Sequence, residues 1–332
     1  MSLRTLLLCT VSLASPALAD VNIYTTRQPA LIQPVIDAFT QQTGIAVNLA
    51  FVDDGIVERL KAEGARSPAD LVMTVDIANL QQIVDAGVIQ PVISEVLTAA
   101  IPANLRSPDN LWFGLTTRAR VIYASRDRVA DGEVTTYEDL ASDKWRGRIC
   151  TRSGTHNYNL ALLAAVIAHH GEAAATAWAA GLHANLARKP NGGDTDQAGA
   201  IWAGECDIAL GNTYYIGQML ANPEQADWAN AVRIVFPTFE DGGTHINISG
   251  VALTKAAPNR AEAVQLMEFL VSPAAQAIYA EVNNEYPVLE GAALSDLVQS
   301  WGSFTPDTLD LTELAGHRAA ALRIMEEVNF DG

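Results

Sequence analysis

The chain has 332 residues, enough for about two domains that each bury a core, which excludes a minimal disulfide-stapled module. Apolar residues make up 49% and charged residues 18%, a balance that fits a globular protein and not a disordered chain. Lys+Arg 21 against Asp+Glu 38 leaves a formal net charge of −17, which repels phosphate backbones and anionic membranes, argues against nucleic-acid binding and favours the approach of cations.

The opening MSLRTLLLCTVSLASPALA carries Arg4, an apolar run from Leu6 to Leu13, and small residues Ala17 and Ala19 before Asp20. This is the pattern of a secretory leader, 1–19, cleaved after Ala19 to release a soluble exported protein. Cys9 lies early in the apolar run and follows Leu8 rather than a small residue, which argues against a lipid anchor. Cys150 and Cys206 remain, and in an oxidising compartment they are expected to pair.

From Val21 onward, β-type runs alternate with helical patterns. VNIYTT, IAVNLAF and DLVMTV read as strands; Leu31 to Phe39, Ile56 to Leu60 and Ile77 to Val84 repeat at helical spacing and stop at Gly44, Gly64 and Gly87. The alternation predicts an α/β lobe with a mostly parallel sheet, whose ligands sit beyond the carboxyl ends of the strands. RARVIYAS reads as a strand crossing to a second α/β set, made of GRICT, Ala-rich helices over 156–186 and CDIALG. VRIVFP and NISGVALT read as strands leading back, before helices over 258–283 and 310–328. The expected lobes are 20–117 with 242–292 and 118–241 with 293–332, joined at a hinge.

No G-x-S-x-G, H-E-x-x-H, P-loop, G-x-G-x-x-G or C-x-x-C motif is present. His169 and His170 read as closing an apolar helix, where a cation complements the dipole, and His183 falls in another helical stretch. Asp53, Asp54, Asp70 and Asp76 stand at strand ends or helix starts, as caps or as metal ligands.

The tyrosines are more informative. Tyr214 and Tyr215 in GNTYYIG follow a strand at a turn into a helix, where two neighbouring phenols can reach one point, and Tyr158 in RSGTHNYN occupies a similar turn. Each alone fits a half-buried aromatic with a bonded hydroxyl. Together they offer hard anionic oxygens that suit a hard trivalent cation. Arg27 with Gln28, Arg118 with Arg120, and Arg152 beside Ser153 fit either an anion site or salt bridges.

YTTRQPALIQPVIDAF, SPADLVMTVDIANL, WFGLTTRARVIYAS, RSGTHNYN, ANLARKPNGGDTDQ, GNTYYIGQML, NISGVAL and VNNEYPV, in this order over nearly all of the chain beyond the leader, resemble the periplasmic ferric-ion-binding proteins of bacterial ABC transporters. The resemblance implies a two-lobe, transferrin-like type II periplasmic-binding-protein fold that closes on Fe(III) and passes it to an inner-membrane permease. It puts Tyr158, Tyr214 and Tyr215 on the family's iron-binding tyrosines. Where some relatives carry a histidine or tyrosine, in a pattern like YSSRHY, this chain has Gln28 and Pro29. The resemblance therefore implies a carbonate-like anion in the open coordination positions, held by Arg27, Gln28, Arg118, Ser153 and Asn157.

The expectation is thus a monomeric iron-uptake binding protein with no catalytic step. A receptor for a small oxyanion or organic solute is the alternative binding role. An exported metallohydrolase would need a general base beside the metal, and none is evident.

Overall fold

The computed structural model describes residues 20–52 and 55–332. The leader, Cys9, Asp53 and Asp54 lie outside the described residues. The first third of the chain forms β1 (Val21–Thr25), α1 (Gln33–Thr43), β2 (Val47–Phe51), α2 (Ile56–Glu63), β3 (Leu71–Thr74), α3 (Ile77–Asp85), a short β4 (Ile89–Gln90) and α4 (Glu95–Ala100). The apolar stripe of α1 buries Val35, Ile36 and Phe39, and the helix stops where Gly44 takes the left-handed conformation at φ 77°. Asp76 caps α3, its Oδ1 accepting from the Ala78 amide at 2.8 Å.

The chain then crosses in β5 (Phe113–Ser125) and builds β6 (Ile149–Cys150), α5 (Asn157–Ala184), α6 (Asp194–Trp202), β7 (Ile208–Asn212), α7 (Tyr214–Ala221), α8 (Ala226–Ala231) and β8 (Val232–Val235). It returns through β9 (Ile246–Thr254), α9 (Arg260–Leu270), α10 (Pro273–Asn283) and β10 (Tyr286–Pro287), and finishes with α11 (Asp296–Ser300), α12 (Leu311–Gly316) and α13 (Arg318–Glu327).

The main strand order is β2-β1-β3-β9-β5-β7-β6. β1 lies parallel to both β2 and β3, whereas β3 meets β9 antiparallel, so the sheet expected to be mostly parallel is mixed. β5 joins the two ends of this array. Its first part pairs with β9 down to Ala119↔Ile246, and from Arg120 onward it pairs with β7 and β8. All 13 of its residues are buried. The strand begins five residues before the expected RARVIYAS, because Gly114, Thr116 and Thr117 lack an apolar signature and gain their place from β9 and β10.

VRIVFP does not lead back: β8 stays beside the second part of β5, and the return is made by β9 alone. The helices expected over 156–186 are one element interrupted at Gly171, whose φ of 79° is non-helical. His169, just before this break, is held by Asp307 and Asp241, each at 2.8 Å, and stacks on Phe239; His170 bonds Glu138 at 2.6 Å. Acidic partners as well as the helix end hold the pair. Cys150 and Cys206 form a disulfide joining β6 to the residues just before its parallel neighbour β7.

Candidate ligand site

A single residue, Thr213, separates the end of β7 from the start of α7, and its amide donates to Ala119 O on β5. This tight junction makes Tyr214 and Tyr215 the first two residues of α7, with ring centroids 4.3 Å apart. Tyr158 is the second residue of α5, whose cap, His156, accepts the Tyr158 amide proton on Nδ1 at 3.2 Å. The two helix starts converge, and the hydroxyls of Tyr158 and Tyr214 stand 3.1 Å apart.

The three phenols share a cavity of about 100 Å³ with Arg27, Gln28 and Arg118. Burial pushes Tyr214 well above the usual phenol range, reinforced by Tyr158 and Tyr215 and opposed by Arg118. Burial also raises Tyr215, with Tyr158 and Asp194 adding to it. Without a cation, then, these two phenols hold their protons firmly. A trivalent ion would reverse that preference, and the positive ends of two helix dipoles favour the phenolates.

The arginines divide by their partners. Arg118 is 2% exposed, and neither Nη1 nor Nη2 has a hydrogen-bond partner; its ion pair, Asp76, remains 3.7 Å away. Arg27 is engaged in a fork with Glu285 at 3.0 and 2.6 Å and donates to Ser249 Oγ at 2.6 Å. Arg120 binds Asp194 at 2.6 Å and Asn159 at 2.8 Å, while Arg152 reaches the other Asp194 oxygen at 3.2 Å. Those two guanidiniums form a buried network behind the tyrosines.

Ser153 and Asn157 are not among the cavity residues. The Ser153 hydroxyl donates to Asp331 Oδ2 at 2.6 Å, and Asn157 Oδ1 accepts from Arg318 at 3.1 Å. Asp331 also accepts from the Gly154 amide at 2.8 Å, so this turn is tied down from outside the cavity. Among the described residues, no group of three or more His, Cys, Asp or Glu side chains forms a metal site. Asp70 binds the amides of Asn22 and Asn259, and Asp76 is a helix cap.

Residues 35–306 match the family of bacterial extracellular solute-binding proteins. Iron uptake protein A1 of Synechocystis sp. is 45% identical over 94% of this chain and 87% of its own. The chain belongs to the ferric-ion-binding branch of this family. A crystal structure of ferric iron-binding protein A from Mannheimia haemolytica in an open conformation superimposes with a TM-score of 0.90 at 49% identity, covering 95% of this chain and 99% of that one. A Trichodesmium protein in complex with iron and citrate ligands gives 0.89 at 43% identity, covering 94% and 99%. The α/β type II periplasmic-binding-protein fold is therefore the fold of this chain, and as a member of a solute-binding family it is not an enzyme.

In this ferric-ion-binding protein, Glu285 went unassigned at the level of sequence, although VNNEYPV contains it. It is 1% exposed, lines the cavity and gathers Arg27, Thr116 and Asn283. Asn247, in NISGVAL, was likewise without a role; it bonds Asp76 behind Arg118 at 2.8 Å. An isolated acid next to a Tyr-Pro pair, or a polar residue inside an apolar strand, was the available signal.

Proposed function

We propose that this protein captures Fe(III) with the phenolates of Tyr158, Tyr214 and Tyr215 and delivers it to an inner-membrane ABC permease. The observation that carries the reading is the convergence of three phenols on one small cavity beside a buried arginine whose terminal nitrogens are unbonded. Three phenolates cancel the charge of Fe(III) and leave coordination positions for a carbonate-like dianion. Arg118 is its principal donor, with Arg27 and Gln28 at its edge, while Ser153 and Asn157 act from behind by holding the Tyr158 turn. The relatives, among them an iron uptake protein and a protein in complex with iron and citrate ligands, support the same cargo.

Export through the leader cleaved after Ala19 puts the protein in the periplasm, where it acts as a monomer. Its lobes, 20–117 with 242–292 and 118–241 with 293–332, close about β5 and β9. The test is to load Fe(III) in carbonate-depleted buffer free of citrate and phosphate, then titrate bicarbonate while following the visible spectrum. A phenolate-to-iron charge-transfer band that shifts or tightens with bicarbonate is expected. Absence of the band would overturn the iron assignment, and a band indifferent to bicarbonate would overturn the anion.

A further inference from the structure

A buried guanidinium normally collapses onto the nearest carboxylate, because an unmade hydrogen bond to a charged group is costly in a dry site. Arg118 does not. Asp76 faces it with both side chains almost fully buried, yet the closest approach is 3.7 Å, beyond hydrogen-bonding distance. Both carboxylate oxygens are committed elsewhere. Oδ1 accepts the Ala78 amide at the start of α3, and Oδ2 accepts Asn247 Nδ2, each at 2.8 Å. Asn247 is itself fixed, its Oδ1 accepting the amides of Ile77 at 3.0 Å and Ile248 at 2.8 Å.

We propose that Asp76 and Asn247 are positioning residues: Asp76 supplies the charge that allows Arg118 to be buried, and Asn247 holds that carboxylate off the guanidinium so that its donors stay free for the anion. The inference rests on the proposed anion role of Arg118. Burial raises the proton affinity of Asp76, and the nearby cations Arg118 and Arg318 oppose that. Burial, with the nearby Arg120 and Arg118, pushes His245 down to about 3, so it contributes no charge near neutrality.

The arrangement makes two neighbouring substitutions act in opposite directions. In Asn247→Ala, Asp76 Oδ2 is released to bond Arg118 directly, and the bicarbonate midpoint of the iron band should rise about tenfold. In Asp76→Ser, which keeps a helix-capping oxygen, and Asp76→Asn, which keeps the volume, Arg118 loses its counter-charge and the midpoint should fall about tenfold. Combining Asn247→Ala with Asp76→Ser should cancel the loss, because no carboxylate remains to occupy Arg118. Thermal unfolding of each apoprotein identifies variants that are misfolded. Weakening in all variants, or failure of the double variant to recover, would overturn the positioning role, as would a unilateral collapse of the fold in Asn247→Ala with Asp76→Ser and Asp76→Asn both neutral. Absence of an iron band in the parent would instead overturn the underlying iron assignment.

Discussion

The hydroxyls of Tyr158 and Tyr214, 56 residues apart in sequence, meet at 3.1 Å because two different strand-to-helix junctions open into the same cavity. Only one of the two oxygens can donate along that contact; in the proposed site an Fe(III) ion would take the place of their protons. Tyr→Phe at 158, 214 or 215 keeps the ring and removes one donor oxygen. Each variant is expected to weaken Fe(III) binding by at least ~100-fold, the upper end of what outer-sphere changes cost at metal sites. The apoproteins should still unfold cooperatively, and competitive titration against a chelator measures the loss. Parent-like affinity in all three would remove the tyrosines from the site.

Protonation should work against the proposed loaded site from the acid side. Tyr214 and Tyr215 have raised values in the fold, so as neutral phenols they stabilise the apoprotein below ~10, and that contribution is lost as pH rises above ~10. At the proposed site iron would need the phenolates, so acid should compete with it and drive release. His156 has the opposite sign: burial and Arg152 push it down to about 4, so the stability of its neutral form is present above ~6.5 and lost as pH falls toward 4. Protonation also turns Nδ1 from an acceptor of the Tyr158 amide into a donor facing it. His156→Asn retains a capping acceptor that does not titrate. Its acid unfolding limb and its iron-release midpoint should both move to lower pH, by less than ~1 unit, as followed by circular dichroism and the visible band. Unchanged profiles would detach His156 from acid release.

The parts of this molecule that were legible in sequence are those fixed by neighbours in the chain. β1 to β3 and the helices between them follow apolar periodicity closed by Gly44, Gly64 and Gly87, and the tyrosines stand out because strand-to-helix junctions have a local signature. The start of β5 was hidden, since its Gly and Thr residues acquire strand character only from β9, far along the chain. Long-range polar contacts carry no local signal. Arg27 and Glu285 are 258 residues apart, and Asp76 and Asn247 are 171 apart, so their meeting depends on the completed sheet.

The disulfide should matter to stability and not to the ligand chemistry. Cys150 and Cys206 are separated by 56 residues, and closing a loop of that size stabilises the fold by about 4 kcal/mol on the chain-entropy account. Both cysteines belong to the smaller apolar cluster that includes Ile216 and Met219 on α7, behind the tyrosines. Cys150→Ser with Cys206→Ser should lower the denaturant midpoint while leaving the visible band of the iron-loaded protein at the same wavelength. A shifted band at unchanged stability would reverse the assignment and make the bridge part of the site's geometry.

Asn284, left-handed at φ 55° after the end of α10, packs against Gly217 on α7, one turn beyond Tyr214. These residues belong to different proposed lobes, so their contact should form on closure. A Cβ at position 217 would lie 3.2 Å from Asn284 Cβ, a few tenths of an ångström closer than the ~3.5–4.5 Å of a disulfide, so a small outward shift of the pair brings it into bonding range. Gly217→Cys with Asn284→Cys should therefore cross-link readily when iron is loaded and slowly when it is absent. Once formed, the bond should slow iron transfer to a chelator at least tenfold and hold the small radius of gyration in scattering. Reduction should restore both, with the parent carried through the same reductant to account for Cys150 and Cys206. Cross-linking at equal rates with and without iron, and with no change in transfer, would show that these two residues do not separate and would place the closing motion elsewhere.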